Sequence, residues 1–258
     1  MIHLFPTRQV ALELFGFSVH WYGIMYMVAF LLSYELILRL QNYRSLRLSR
    51  EDVASILSYG IVGVIVGGRL GYVVFYEPLY FLSHPLEILS VWNGGMASHG
   101  GFLGVGIALL IVLRRKEIPL LPFLDLIVVP AALGLALGRI GNFINWELYG
   151  SVTTVPWAMA IPGVEGLRHP TFFYAFAKDI CIALVCFLHL RSGKRIPGET
   201  FAVFLTLYAV LRFVVEFYRV QQHPLIDFGS VALTRGQLLT VPFLIVGITL
   251  LLFLQRKR

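Results

Sequence analysis

Long apolar runs alternate with short polar connections along the whole chain. The runs cover about 21–39, 53–75, 98–114, 121–138, 171–190, 199–219 and 236–255. A helix needs about 20 apolar residues to cross the hydrocarbon core of a bilayer, so the pattern predicts seven transmembrane helices. No connection has the makings of a soluble domain. The expected fold is an all-α integral membrane protein, a single polytopic domain over residues 1–258 with a larger outer-face loop region at about 139–170. A cleavable secretory leader needs a basic segment, an apolar run and a small-residue site in that order. The amino-terminal sequence lacks that order, and none is expected.

The cations orient these helices. Arg39, Arg44, Arg47 and Arg50 follow the first run, and Arg114, Arg115 and Lys116 follow the third. Arg191, Lys194 and Arg195 follow the fifth, and Arg256, Lys257 and Arg258 close the chain. Most of the 21 Lys and Arg residues therefore fall in alternate connections, whereas 76–98 carries Glu77 and Glu87 and no cation. Cytoplasmic loops collect Lys and Arg, which predicts an outside amino terminus and a cytoplasmic carboxyl terminus. Trp21, Trp92, Trp146 and Trp157 then fall near the outer boundary, as an aromatic belt does.

Composition agrees with the pattern. The chain is 58% hydrophobic and 14% charged, against roughly 25% charged in soluble domains. A net charge of +7 suggests nucleic acid in a soluble protein, but here it is a topology signal, and no nucleic-acid partner is expected. Cys181 and Cys186 share one apolar run without a second pair or a nearby His. They form no disulfide or metal framework, and neither metal nor cofactor is expected.

With the orientation set, scattered polar residues gather at one depth, the outer leaflet. Arg69, Arg139 and Arg212 lie toward the outer ends of the second, fourth and sixth runs. His99 opens the third within G-G-M-A-S-H-G-G, and His20 and Tyr22 open the first within H-W-Y-G. Glu216 follows Arg212 by four residues, on the same helical face. The densest stretch, Gly138 to Gly150, reads G-R-I-G-N-F-I-N-W-E-L-Y-G and places Arg139, Asn142, Asn145 and Glu147 where an apolar run ends. Charges at such a depth are expensive and usually functional. A lone Arg139 could simply snorkel to the interface, and Arg69 could pair structurally with a carboxylate such as Glu77. Asp125 lies at the opposite depth and reads as structural. His20, His169 and His223 are weaker candidates than His99, which sits between a serine and glycines. Glycines at 60, 63, 67, 68 and 71, and at 100, 101 and 104, have the spacing that lets helices pack closely in lipid.

Arginine stays charged in a low dielectric and binds phosphate through two parallel N–H donors. The abundant anion at that depth is a phospholipid head group, so the residues point to a membrane site for an anionic lipid. A transferase and an outer-leaflet lipid transporter or flippase both fit. A transporter spreads polar groups through the bilayer, often with inverted repeats, whereas here they collect on one side. A scaffold leaves the intramembrane arginines unexplained, and no paired Asp, Ser–His or H-E-x-x-H arrangement suggests a protease.

The stretch Gly138–Gly150 resembles the signature of the prolipoprotein diacylglyceryl transferases. The resemblance extends in order through H-W-Y-G-I-M-Y (20–26), G-G-R-L-G-Y (67–72), H-G-G-F-L-G (99–104), R-H-P-T (168–171) and R-F-V-V-E-F-Y-R (212–219). It implies transfer of the diacylglyceryl group of phosphatidylglycerol to the thiol of a lipobox cysteine in a preprolipoprotein signal peptide. A thioether forms and glycerol phosphate leaves, at the outer leaflet of a bacterial cell membrane. It also implies His99, Arg139 and Arg212 as catalytic, with Tyr22, Arg69, Asn142, Asn145, Glu147, Gly150, Tyr208 and Glu216 binding substrate among the membrane lipids. The chain departs from the family pattern at Phe172 and Ala175, where glutamine and glutamate are common, and at Ala97, where serine is common.

Overall fold

The computed structural model describes residues 2–4, 7–91, 94–192, 196–221, 225–227, 229 and 232–256, except the side chains of 2–4, 98 and 99. Trp92, Lys194, Arg195, His223, Lys257, Arg258 and the His99 side chain therefore lie outside the described residues. Among those described, the long helices are α1 (Trp21–Leu40), α2 (Arg50–Phe75), α4 (Ser98–Arg115), α5 (Leu120–Asn145), α6 (Thr171–Arg191), α7 (Glu199–Glu216) and α8 (Arg235–Gln255). Each occupies one of the apolar runs. A short helix, α3 (Pro78–Ser83), sits in the cation-free connection after α2. Helices α1, α2, α5, α6 and α8 are long and apolar enough to cross a membrane, and this is a membrane protein. Helix α7 carries Glu199, Arg212 and Glu216 within 18 residues.

Three small antiparallel sheets join the helices: β1 (Ile2–Leu4), β2 (Val10–Leu14) and β3 (Phe17–His20), then β4 (Met159–Ala160) with β5 (Leu167–Arg168), and β6 (Ile226–Asp227) with β7 (Ala232–Leu233). Strands this short leave no measurable alternation, so the all-α expectation missed them. The fold is mostly, not wholly, helical.

The chain divides into two compact units, 45–123 and 1–44 with 124–258. In the first, α2 lies against α4 along the predicted glycine faces. A Cβ on Gly67 would stand 2.4 Å from the Gly100 carbonyl oxygen, and one on Gly104 would stand 2.1 Å from that of Gly63. Only glycine permits backbones so close. Arg69, which is 6% exposed, lies in this unit. Its guanidinium donates to the carbonyls of Glu87 at 2.5 Å, Ile88 at 2.9 Å and Gly94 at 2.7 Å. These partners are backbone carbonyls, not Glu77, and they fix the connection leading into α4.

The second unit holds α1, α5, α6, α7 and α8. Its clearest structural polar group is Asp125, fully buried. The carboxylate accepts from Arg44 Nε at 2.7 Å and from the Gly198 and Phe201 amides at 2.8 Å. It thereby satisfies the amino-terminal donors of α7, which no intrahelical carbonyl reaches. The Arg44 and Asp125 side chains are 4% and 0% exposed, and deleting one member of such a pair costs about 3–5 kcal/mol. Asp125→Ala should lower the unfolding midpoint in detergent markedly. An unchanged midpoint would show that the pair adds nothing.

Candidate active site

The signature Gly138–Gly150 comprises the last two turns of α5 and the loop that follows. Arg8 closes the helix end, donating through Nε to the Ile144 carbonyl at 2.6 Å with its guanidinium 4.0 Å from the Trp146 ring centroid. It meets carbonyls left open at a helix carboxyl terminus and the negative end of the dipole. Trp146 and Leu148 adopt positive φ, 56° and 55°. This tight turn brings the Glu147 amide to the Asn142 carbonyl at 2.9 Å.

Inside the turn a chain of side chains ends on Arg139. Tyr22, near the start of α1, lies against Gly141, where a Cβ would stand 3.2 Å from its ring. The Tyr22 hydroxyl accepts from Asn142 Nδ2, and Asn142 Oδ1 accepts from Arg139 Nη1 at 3.2 Å. Glu147 accepts from Asn142 at 3.4 Å and from Asn145 at 3.1 Å. Asn142 thus holds Arg139 directly, while Tyr22 and Glu147 act through Asn142.

A second cluster closes α7. Glu216 accepts from Arg212, and from Arg219 Nη1 at 3.2 Å. One carboxylate therefore serves two guanidinium groups. Its other oxygen lies against the start of α8, where a Cβ on Gly236 would stand 2.5 Å away. The two clusters are tied by backbone. Gly150 bridges Arg219 antiparallel, and the Ser151 amide donates to the Tyr218 carbonyl at 2.9 Å. Gly150 is required there because a Cβ would meet that carbonyl oxygen at 2.4 Å. In the described structure it joins chain segments.

Between the clusters lies a narrow cleft, whose lining includes Arg139, Asn142, Thr171, Phe172, Ala175, Arg212 and Arg219. Arg212 and Arg219 also line an adjoining cleft with Glu216 and Arg235. Three arginines share the first cleft. Among the described residues only Glu216, of the carboxylates, is hydrogen-bonded to any of them. Such a cluster is completed by an anion, and guanidinium forks match phosphate.

Sequence reasoning missed several members of this cluster. Lys178 and Asp179 of α6 are buried, and Asp179 Oδ2 lies 3.7 Å from Arg139 Nε. Two adjacent charges inside an apolar run were the available signal. Arg219 lies three residues beyond the end of α7, and its Nη1 reaches the same Glu216 carboxylate as Arg212. Tyr208 does not line either cleft; its ring centroid is 4.5 Å from Lys178 Nζ. Of the predicted residues, the structure brings together Tyr22, Arg139, Asn142, Asn145 and Glu147, and joins Arg212 to Glu216. Phe172 and Ala175 place apolar surface in the cleft wall at two of the positions that depart from the family pattern.

The family model described as prolipoprotein diacylglyceryl transferase matches residues 9–253. The chain belongs to that family. Three relatives bear the name phosphatidylglycerol–prolipoprotein diacylglyceryl transferase. The protein of Methylibium petroleiphilum is 43% identical over 256 residues, covering 96% of each chain. That of Nitrosomonas europaea is 42% identical, covering 96% of this chain and 90% of its own. That of Geobacter sulfurreducens is 40% identical, covering 92% of each.

Proposed function

We propose that the chain transfers the diacylglyceryl group of phosphatidylglycerol to the lipobox cysteine thiol of a preprolipoprotein, in the cell membrane of a bacterium. The observation that carries this is the cleft with three arginines and one bonded carboxylate, in a chain of this family. The proposed arrangement is one polytopic domain with seven spans, the amino terminus outside, the carboxyl terminus cytoplasmic, and the site toward the outer leaflet. The alternation of cations supports that orientation.

In the proposed reaction the cysteine sulfur attacks the glycerol carbon that bears the phosphate. A carbon–sulfur bond forms, the carbon–oxygen bond breaks, and the bonding pair leaves with glycerol phosphate. The bound phosphodiester carries one negative charge and the departing monoester develops a second. Groups that bind the second charge better than the first lower the barrier. Arg139 and Arg212 take this role, with Arg219 at the same cleft. Asn142 orients Arg139, supported by Tyr22 and Glu147, and Glu216 holds Arg212. His99 accepts the thiol proton, since a free thiol with a pKa of about 8.5 is mostly protonated at neutral pH. Arg69 orders the connection into α4.

The test is purified protein with phosphatidylglycerol labelled in its acyl chains, and a lipobox peptide. Label should pass to the cysteine peptide and not to its serine counterpart, with glycerol phosphate released in equal amount. Movement of labelled lipid between leaflets without a thioether would instead indicate a transporter.

A further inference from the structure

Asp179 stands between two cations. Its Oδ1 accepts from Lys178 Nζ, while its Oδ2 lies 3.7 Å from Arg139 Nε. Asp179 is 0% and Lys178 6% exposed. Asp179 Oδ2 and Arg139 Nε are both buried, and neither has a hydrogen-bond partner among the described residues. A carboxylate beside a guanidinium ordinarily closes into a short, two-point pair. Here Arg139 and Asp179 stand 3.7 Å apart, while the ammonium of Lys178 bonds the other oxygen. Lys178 is itself held by Tyr208, whose ring centroid is 4.5 Å from Nζ, a favourable placement for a cation over an aromatic face. Neither Lys178 nor Asp179 lines the cleft, so Lys178 does not act as a direct ligand of an anion there.

We propose that Lys178 is a positioning residue that keeps Asp179 from capturing Arg139, and so leaves the Arg139 guanidinium free for a phosphate ligand. Three charges are arranged as a held pair, Lys178 with Asp179, beside the Arg139 cation. Remove the ammonium, and the nearest cation for Asp179 is Arg139. Closure of that pair would cancel the charge of Arg139 and draw its fork from the cleft. The proposal rests on Arg139 as the phosphate ligand.

The experiment compares wild type with Lys178→Met, Lys178→Met/Asp179→Asn and Arg139→Ala in the transfer assay, alongside inhibition by added glycerol phosphate. Folding is checked by gel filtration and thermal unfolding in detergent. Lys178→Met should lower kcat/KM by between about tenfold and a hundredfold, as when a positioning group shifts by about 1 Å, and should weaken inhibition by glycerol phosphate. The double variant should regain most of both. A residue serving only packing, or binding the anion directly, gives no such rescue. Should Lys178→Met fail to fold, the double variant, which buries no unpaired charge, carries the test; folded but as inactive as Arg139→Ala, it overturns the proposal. Wild-type kinetics in Lys178→Met overturn it too, provided Arg139→Ala is inactive. If Arg139→Ala itself retains activity, the role given to Arg139 is what fails.

Discussion

Arg139→Ala is expected to remove nearly all transfer while leaving the protein folded. Loss of one donor to a developing oxyanion costs about 10²–10³ in kcat. Arg139 brings a full charge as well, so the loss should reach at least that range. It should fall mainly on kcat, because the second negative charge exists only as phosphate departs. The bound diester, with one charge, still meets Arg212 and Arg219, so KM should rise less. Folding should survive, since the Arg139 side chain donates to Asn142 at 3.2 Å and Asp179, its other neighbour, keeps Lys178 as a partner. Turnover and KM for phosphatidylglycerol, measured on purified protein beside Arg212→Ala, check this. Near-normal kcat in Arg139→Ala, with Arg212→Ala inactive, would move the phosphate site to the end of α7.

The helices were legible in the sequence because length and hydropathy suffice for a bilayer-spanning segment, and each predicted run carries a long helix. The glycine faces of α2 and α4 were legible for a similar reason, since spacing by three or four repeats one helical face. The signature around Arg139 was readable as a cluster because its members lie within a few residues of one another. What joins that cluster to Arg212 was not readable. Gly150 meets Arg219 through a single backbone bridge, a contact between distant segments that no periodicity encodes. Arg8 stacked on Trp146 and Asp179 beside Arg139 are of the same kind. Arg69 illustrates the converse. Its depth suggested a ligand, but a buried guanidinium can equally be satisfied by carbonyls of a nearby loop, and composition does not separate the two.

His99→Ala is the second large effect expected, and its pH dependence distinguishes a base from a cationic surrounding. General-base catalysis contributes about 10²–10⁴-fold, so kcat/KM at pH 7 should fall by at least about a hundredfold. The variant must rely on thiolate already present. With a thiol pKa of about 8.5, that fraction is about 3% at pH 7 and rises nearly tenfold per pH unit until the pKa is passed. In wild type, His99 takes the proton from the neutral thiol, so the rate does not wait on thiolate already present. Between pH 7 and 8.5 the variant should therefore climb while wild type stays flat, and the gap should narrow by about tenfold or more. A constant ratio across that window would rule out proton transfer to His99. Thiol activation would then fall to nearby arginines, which favour thiolate without accepting its proton.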